Sequence, residues 1–151
     1  MSSERTLVLV KPDGVQRGLI GEVLGRLERR GLQLVGLKLM RMDEALAARH
    51  YAEHVDKPFY PGLRDFMTSG PLVAAVFEGE NAVRAVRQAM GATDPLESPP
   101  GSIRGDLALD LGRNIVHGSD SPESGQREVA LFFRPEELLA WAQDAARWVR
   151  E

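Results

Sequence analysis

The chain has 151 residues, 43% hydrophobic and 27% charged, with no cysteine and a net charge of −3. Such a length suits one globular domain, 1–151, that buries roughly 70% of the surface an unfolded chain exposes. The missing cysteines exclude disulfides, Cys-bound zinc, iron–sulfur clusters and thiol nucleophiles, and the acidic balance argues against a general nucleic-acid coat. Met1 to Thr6 has no basic n-region leading into an apolar stretch, and no apolar run approaches the roughly 20 residues of a membrane span. A cytoplasmic protein is the expectation, and a cysteine-free chain fits a reducing compartment.

Leu7 to Val10 is a short apolar run stopped by Lys11-Pro-Asp-Gly14, which predicts a buried strand followed by a loop. Leu19, Ile20, Val23, Leu24 and Leu27 follow helical spacing up to Gly31. Residues 32–42 alternate with a strand's period. Asp43 is placed to cap a helix running to about His54, and a second short helix is expected over 62–68. Leu72 to Phe77 is a strong strand, and Asn81 is expected to cap a helix that runs to Gly91. Residues 91–105 are rich in proline and glycine and read as a long structured loop, of the kind that in compact domains is usually functional or disordered.

Asn114-Ile-Val116 reads as a short strand. Ser121-Pro122 pairs an N-cap with proline at the first helical position, which favours helix over strand for 127–133. A last helix is expected after Pro135, with Leu138, Leu139, Ala142, Ala146 and Val149 on one face. Strands interspersed with helices in this order predict an α+β sandwich: a ferredoxin-like split βαβ arrangement with a four-stranded antiparallel sheet covered by helices.

The segment Asn114-Ile-Val-His-Gly-Ser-Asp-Ser121 carries the chemistry. A histidine leaves a strand, Gly118 clears space beside it and permits a tight turn, and short polar groups lead into a helix start. Glu128, two turns into that helix, is placed to reach back. A carboxylate on one imidazole nitrogen fixes the tautomer and frees the other nitrogen to attack. By itself such a histidine after a strand is more often structural than catalytic.

The same segment resembles the active-site signature of the nucleoside diphosphate kinases. Thr6 to Gly14, Tyr51, Pro58-Phe-Tyr60, Phe66 to Pro71, Glu78 to Asn81, Gly91 to Pro95 and Pro100 to Asp106 match that family in order. The resemblance implies transfer of a terminal phosphate from a triphosphate to a diphosphate through a phosphohistidine. It places His117 as the nucleophile, attacking through Nδ1, with Ser119 and Glu128 orienting it. It assigns Lys11 and Asn114 to the ribose hydroxyls and phosphate end, and Arg87, Thr93, Arg104 and His54 to phosphate contacts. Tyr51 falls near the transferred phosphate, and Phe59 and Leu111 flank the base. Magnesium is the implied cofactor, held mainly by the nucleotide rather than by a protein metal site. The partners are nucleoside triphosphates and diphosphates, in a homo-oligomer: the loop around Pro100 and the tail to Glu151 resemble hexamer-forming members, although tetramers also occur.

These roles suit phosphoryl transfer, which asks the protein for positioning and charge neutralisation. Arginine offers planar bidentate bonds to phosphate, and an aromatic face accepts any base. Gly101 and Gly105, on either side of Arg104's turn, would let backbone approach a ligand. No Walker A, G-x-G-x-x-G or Asp-Phe-Gly pattern occurs. His50-Tyr-Ala-Glu-His54 fits the inverted zinc-peptidase pattern, which would need both histidines on one helix face; a solvated amphipathic helix is the plainer reading. A ligand-sensing module without catalysis is the other alternative. The joint presence of Lys11, Arg104, Asn114, His117 and Glu128 argues against it. Ser102 stands where the family more often has threonine, and Leu107 and Leu111 sit where it often has phenylalanine and an aliphatic residue. Pro122 and Gly125 are unusual in the following helix, where glycine costs about 1 kcal/mol relative to alanine.

Overall fold

The computed structural model describes residues 3–151. Strand β1 (Glu4–Val10) lies inside a four-stranded sheet with β2 (Gln33–Met40), β3 (Leu72–Gly79) and β4 (Val116–Gly118), in the order β2-β3-β1-β4. Every pairing is antiparallel. The expected ferredoxin-like α+β sandwich is the observed fold.

The helices are α1 (Pro12–Gln16), α2 (Ile20–Arg29), α3 (Glu44–His50), α4 (Tyr60–Met67), α5 (Ala82–Met90), α6 (Ile103–Leu107) and α7 (Pro122–Phe132). Strand alternation sorts the central residues between two cores. Val8, Val10, Val73, Ala75 and Phe77 pack with Val23, Leu27, Val86 and Met90 of α2 and α5. Leu7, Leu9, Ala74 and Val76 pack with Ala47, Met67, Val129 and Phe132 of α3, α4 and α7. Apolar side chains on both faces explain why β1 and β3 read as continuous apolar runs rather than alternating ones.

Two predicted caps are formed. Asp43 Oδ1 accepts from the Leu46 amide at 2.7 Å, and Ser121 Oγ accepts from Ser124 at 3.1 Å, with Pro122 next in the chain. Residues 127–132 are helical as predicted, and Ser102 caps α6 by accepting from Gly105 at 3.0 Å.

Other expectations need correction. Asn81 is left-handed (φ 59°) and makes no side-chain cap; Glu4 Oε1, from β1, accepts the Val83 amide at 3.0 Å instead. The turn signals after Val10 open α1 rather than a loop, because Pro12 occupies a first-turn position where its missing N–H costs nothing. Helix α3 stops at His50, and a 3₁₀ turn covers Ala52–His54. Gly118 is the final residue of β4, pressed against Met90 and Val86, and makes no turn.

The last helix does not form. After a 3₁₀ turn at Pro135–Glu137 the chain runs irregularly to a second one at Asp144–Trp148. The reason is the edge of β2. The Leu139 amide donates to the Val35 carbonyl and Trp141 Nε1 to the Leu34 carbonyl, both at 2.9 Å, so backbone acceptors on an open edge take the place of helical ones.

Candidate active site

His117 sits in β4 opposite Leu9 of β1. It therefore faces the core of α3, α4 and α7. Its Nε2 lies 3.0 Å from Glu128 Oε1. Ser119 Oγ donates to the same oxygen at 2.7 Å and accepts from the Leu7 amide at 3.1 Å. Burial pushes the Glu128 carboxyl up, but hydrogen bonds from His117 and Ser119 outweigh it and hold the group below its ordinary value. An ionised carboxylate at that distance keeps the imidazole proton on Nε2. Nδ1 then carries the lone pair.

A cavity of about 340 Å³ opens beside this pair, lined by His50, Tyr51, His54, His117 and Glu128 among others. Burial raises the Tyr51 phenol well above its usual value, so it stays protonated. His54 packs its ring 5.4 Å from that of Phe59. Phe59 and Leu111 are 54% and 59% exposed, each offering a free apolar face.

Asn114 ties the second group of residues together. Its Oδ1 accepts from Lys11 Nζ at 2.6 Å, and its Nδ2 donates to the Thr93 carbonyl at 2.9 Å. Burial lowers the Lys11 pKa to about 8; Arg104 and Arg113 push the same way and Asp13 opposes them. Arg104 is buried and donates to the carbonyls of Asn114, Ala92 and Val116 at 3.1, 3.1 and 2.5 Å. Three of its five N–H groups are thus engaged and two remain for a ligand. Gly105 is required for packing rather than for ligand approach, since a Cβ there would strike the Pro99 carbonyl. Arg87 bonds the Gly118 carbonyl at 3.3 Å and borders a neighbouring cleft with Asp120 and Ser121.

Between these two groups lies Ile115, fully buried with φ 73°. A β-branched residue in the left-handed region is strained. It is held by Asp13, whose Oδ2 accepts the Ile115 amide at 3.0 Å, and by the Lys11 amide, which donates to its carbonyl at 2.8 Å. Ile115 directly follows Asn114 and lies two residues before His117.

Three residues at the site were not anticipated as functional. Asp13 read as a turn signal, and its partner lies 102 positions away. Arg113, over the Phe66 ring at 4.1 Å, adds charge beside Lys11. His50 drew attention only through its spacing to His54. The end of α3 at His50 removes the shared helix face which that pattern needs. The ring of His50 instead meets His117 edge-on, with centroids 4.9 Å apart.

Residues 4–138 match the family model described as nucleoside diphosphate kinase. A nucleoside diphosphate kinase of Gloeobacter violaceus is 60% identical over 148 residues, covering 98% of this chain and 99% of that one. The structure of a halophilic nucleoside diphosphate kinase from Halobacterium salinarum in complex with CDP superposes with a TM-score of 0.96 at 58% identity, covering 99% of this chain and all of the other. A nucleoside diphosphate kinase family protein of Babesia bovis gives 0.95 at 46% identity, covering 97% and 99%. Fold and comparisons together define a nucleotide phosphotransferase. The chain belongs to the nucleoside diphosphate kinase family.

Proposed function

We propose that the enzyme carries its phosphate on His117, in one catalytic domain spanning 1–151. The observation that carries this reading is the Glu128 Oε1 to His117 Nε2 contact, which leaves Nδ1 as the nucleophile. Nδ1 attacks the terminal phosphorus of a nucleoside triphosphate. The N–P bond forms as the bridging P–O bond breaks, and the diphosphate leaves with the electron pair. A terminal oxygen of a second diphosphate then attacks the phosphohistidine, and the N–P bond breaks. Histidine returns unchanged, and triphosphate and deoxytriphosphate pools are kept in balance.

Lys11 and Asn114 hold the ribose hydroxyls and phosphate end; Arg87, Thr93, Arg104 and His54 hold phosphates. Tyr51 donates to the phosphate in transfer, since its phenol keeps its proton. Phe59 and Leu111 stack on the base, which sets little base preference. Glu128 is already bonded, and Glu53 and Asp120 are the other carboxylates bordering the His117 cavity. So sparse a donor set suits magnesium carried on the nucleotide phosphates, with water completing its shell. When bound, the ion offsets phosphate charge. No described helix is long and apolar enough to cross a membrane, and a cytoplasmic location fits the enzyme's substrates.

Brief exposure to ATP labelled at the γ-phosphate tests the nucleophile. Acid-labile, base-stable label is expected on the wild type and absent from His117→Ala; an unlabelled wild type would sink the mechanism. Initial rates at varied donor and acceptor should give parallel lines. Glu128→Gln should slow the reaction by about 100-fold, the scale of a mispositioned reacting group, and an unaltered rate would remove Glu128 from the site.

A further inference from the structure

His50, His117 and Glu128 form a cluster in which one ligand-type atom from each lies within 4.8 Å of the others. Two imidazoles and a carboxylate are the donor set that holds zinc with a position left open, and imidazole also suits copper and nickel. Phosphate transfer as described uses His117 and Glu128 and gives His50 no task. Both nitrogens of His50 are buried, and neither has a hydrogen-bond partner among the described residues. Unbonded buried polar atoms are costly. The ring is nonetheless held in place by edge contacts to Tyr51, His117 and Phe132, with centroids at 4.5, 4.9 and 5.2 Å. It borders the same cavity as His117 and Glu128.

We infer that this trio is an inhibitory site for one divalent cation of the zinc type. Zinc–nitrogen bonds are about 2.0–2.1 Å, so donors sharing the ion stand at most about 4 Å apart. Closing from 4.8 Å takes a shift of about 1 Å, and the His117 side chain is partly exposed at the cavity, where such a shift meets the least packing. Metal on either nitrogen of His117 leaves the ring proton on the other, because the ligand is the neutral imidazole. No lone pair is then left for phosphorus. Magnesium prefers oxygen donors and does not compete for the trio. Binding rests on the geometry alone; inhibition rests also on the nucleophile proposed above.

Calorimetric titration of zinc chloride into nucleotide-free enzyme tests the binding. One ion per chain is expected. His50→Gln and His117→Asn should each weaken it by about tenfold or more, the least that a lost partner of a metal site costs, while His54→Gln binds as before. His117 is partly exposed, so His117→Asn keeps the test usable if His50→Gln does not fold. Absence of saturable uptake, uptake unchanged in the folded variants, or loss confined to His54→Gln would each overturn the site. Enzyme loaded with zinc and freed of the excess is then exposed to γ-labelled ATP with magnesium. No label is expected until a zinc-selective chelator is added. Full labelling with zinc still bound would overturn the inhibition, whereas no label on zinc-free enzyme would count against the nucleophile instead.

Discussion

Lys11 shows how one side chain's surroundings set a pH dependence. Burial lowers its pKa from 10.5 to about 8. Between those values the unfolded chain binds the extra proton, so this residue makes folding more favourable as pH rises through that window. Activity responds oppositely. Above about pH 8 the free enzyme loses a positive charge at the phosphate end, so kcat/KM should fall with an apparent pKa near 8. Lys11→Arg, which stays charged, should abolish that alkaline limb in a pH–rate profile even if its plateau is lower. A limb unmoved by the substitution would assign it to another group. Several residues named from the sequence meet in two groups: Lys11 bonds Asn114, and Ser119 and His117 bond Glu128. Each lies in a short motif whose spacing survives as local geometry. Asp13 and His50 carry no sign in the sequence of these contacts, because their meaning depends on Ile115 and His117, far along the chain, and no local pattern encodes such a contact.

At the level of elements, signals confined to a few residues were readable and those completed elsewhere were not. Asp43 and Ser121 cap helices that begin within three residues of them. Asn81 has the right chemistry for a cap, yet the amide it would accept is taken by Glu4 from another strand. Gly125 teaches the same lesson. Helix propensity alone makes it a defect that alanine would repair by about 1 kcal/mol. In the fold, a Cβ at 125 would lie 2.6 Å from the Arg5 carbonyl of β1, because α7 crosses the sheet there. Backbone on both sides cannot yield cheaply. Gly125→Ala is therefore expected to destabilise by about 1–3 kcal/mol, the usual cost of overpacking, and to shift Glu128 with it. Urea denaturation measures the difference; a gain in stability would show that the helix can move away.

The whole molecule leaves apolar surface unaccounted for within one chain. Leu37 and Leu39 are exposed on β2, the strand at the sheet's edge, and Leu96, Leu109 and Trp148 are exposed elsewhere. Scattered exposed leucines are ordinary, but an edge strand carrying two of them invites a neighbour. We propose a homo-hexamer. Light scattering should report six times the 16.6 kDa chain mass; a mass of four chains would establish the tetramer instead. The tail after Pro135, predicted helical from its apolar spacing, shows why this scale was hardest to read. Its fate depends on open carbonyls at Leu34 and Val35, and an unpaired edge is a property of the sheet, not of any segment.

Ile115 confines the ways this enzyme can change. Its buried side chain suits the core and its left-handed backbone suits the site, yet no single amino acid satisfies both. Glycine would relax the torsion and leave a void; asparagine would tolerate it and bury an amide. Substitutions that relax the torsion are expected to loosen the turn that carries Asn114, so selection for robustness and selection for turnover would pull one codon in opposite directions. Neutral drift is expected to stall at this position, with improvement coming only from paired changes that involve Asp13.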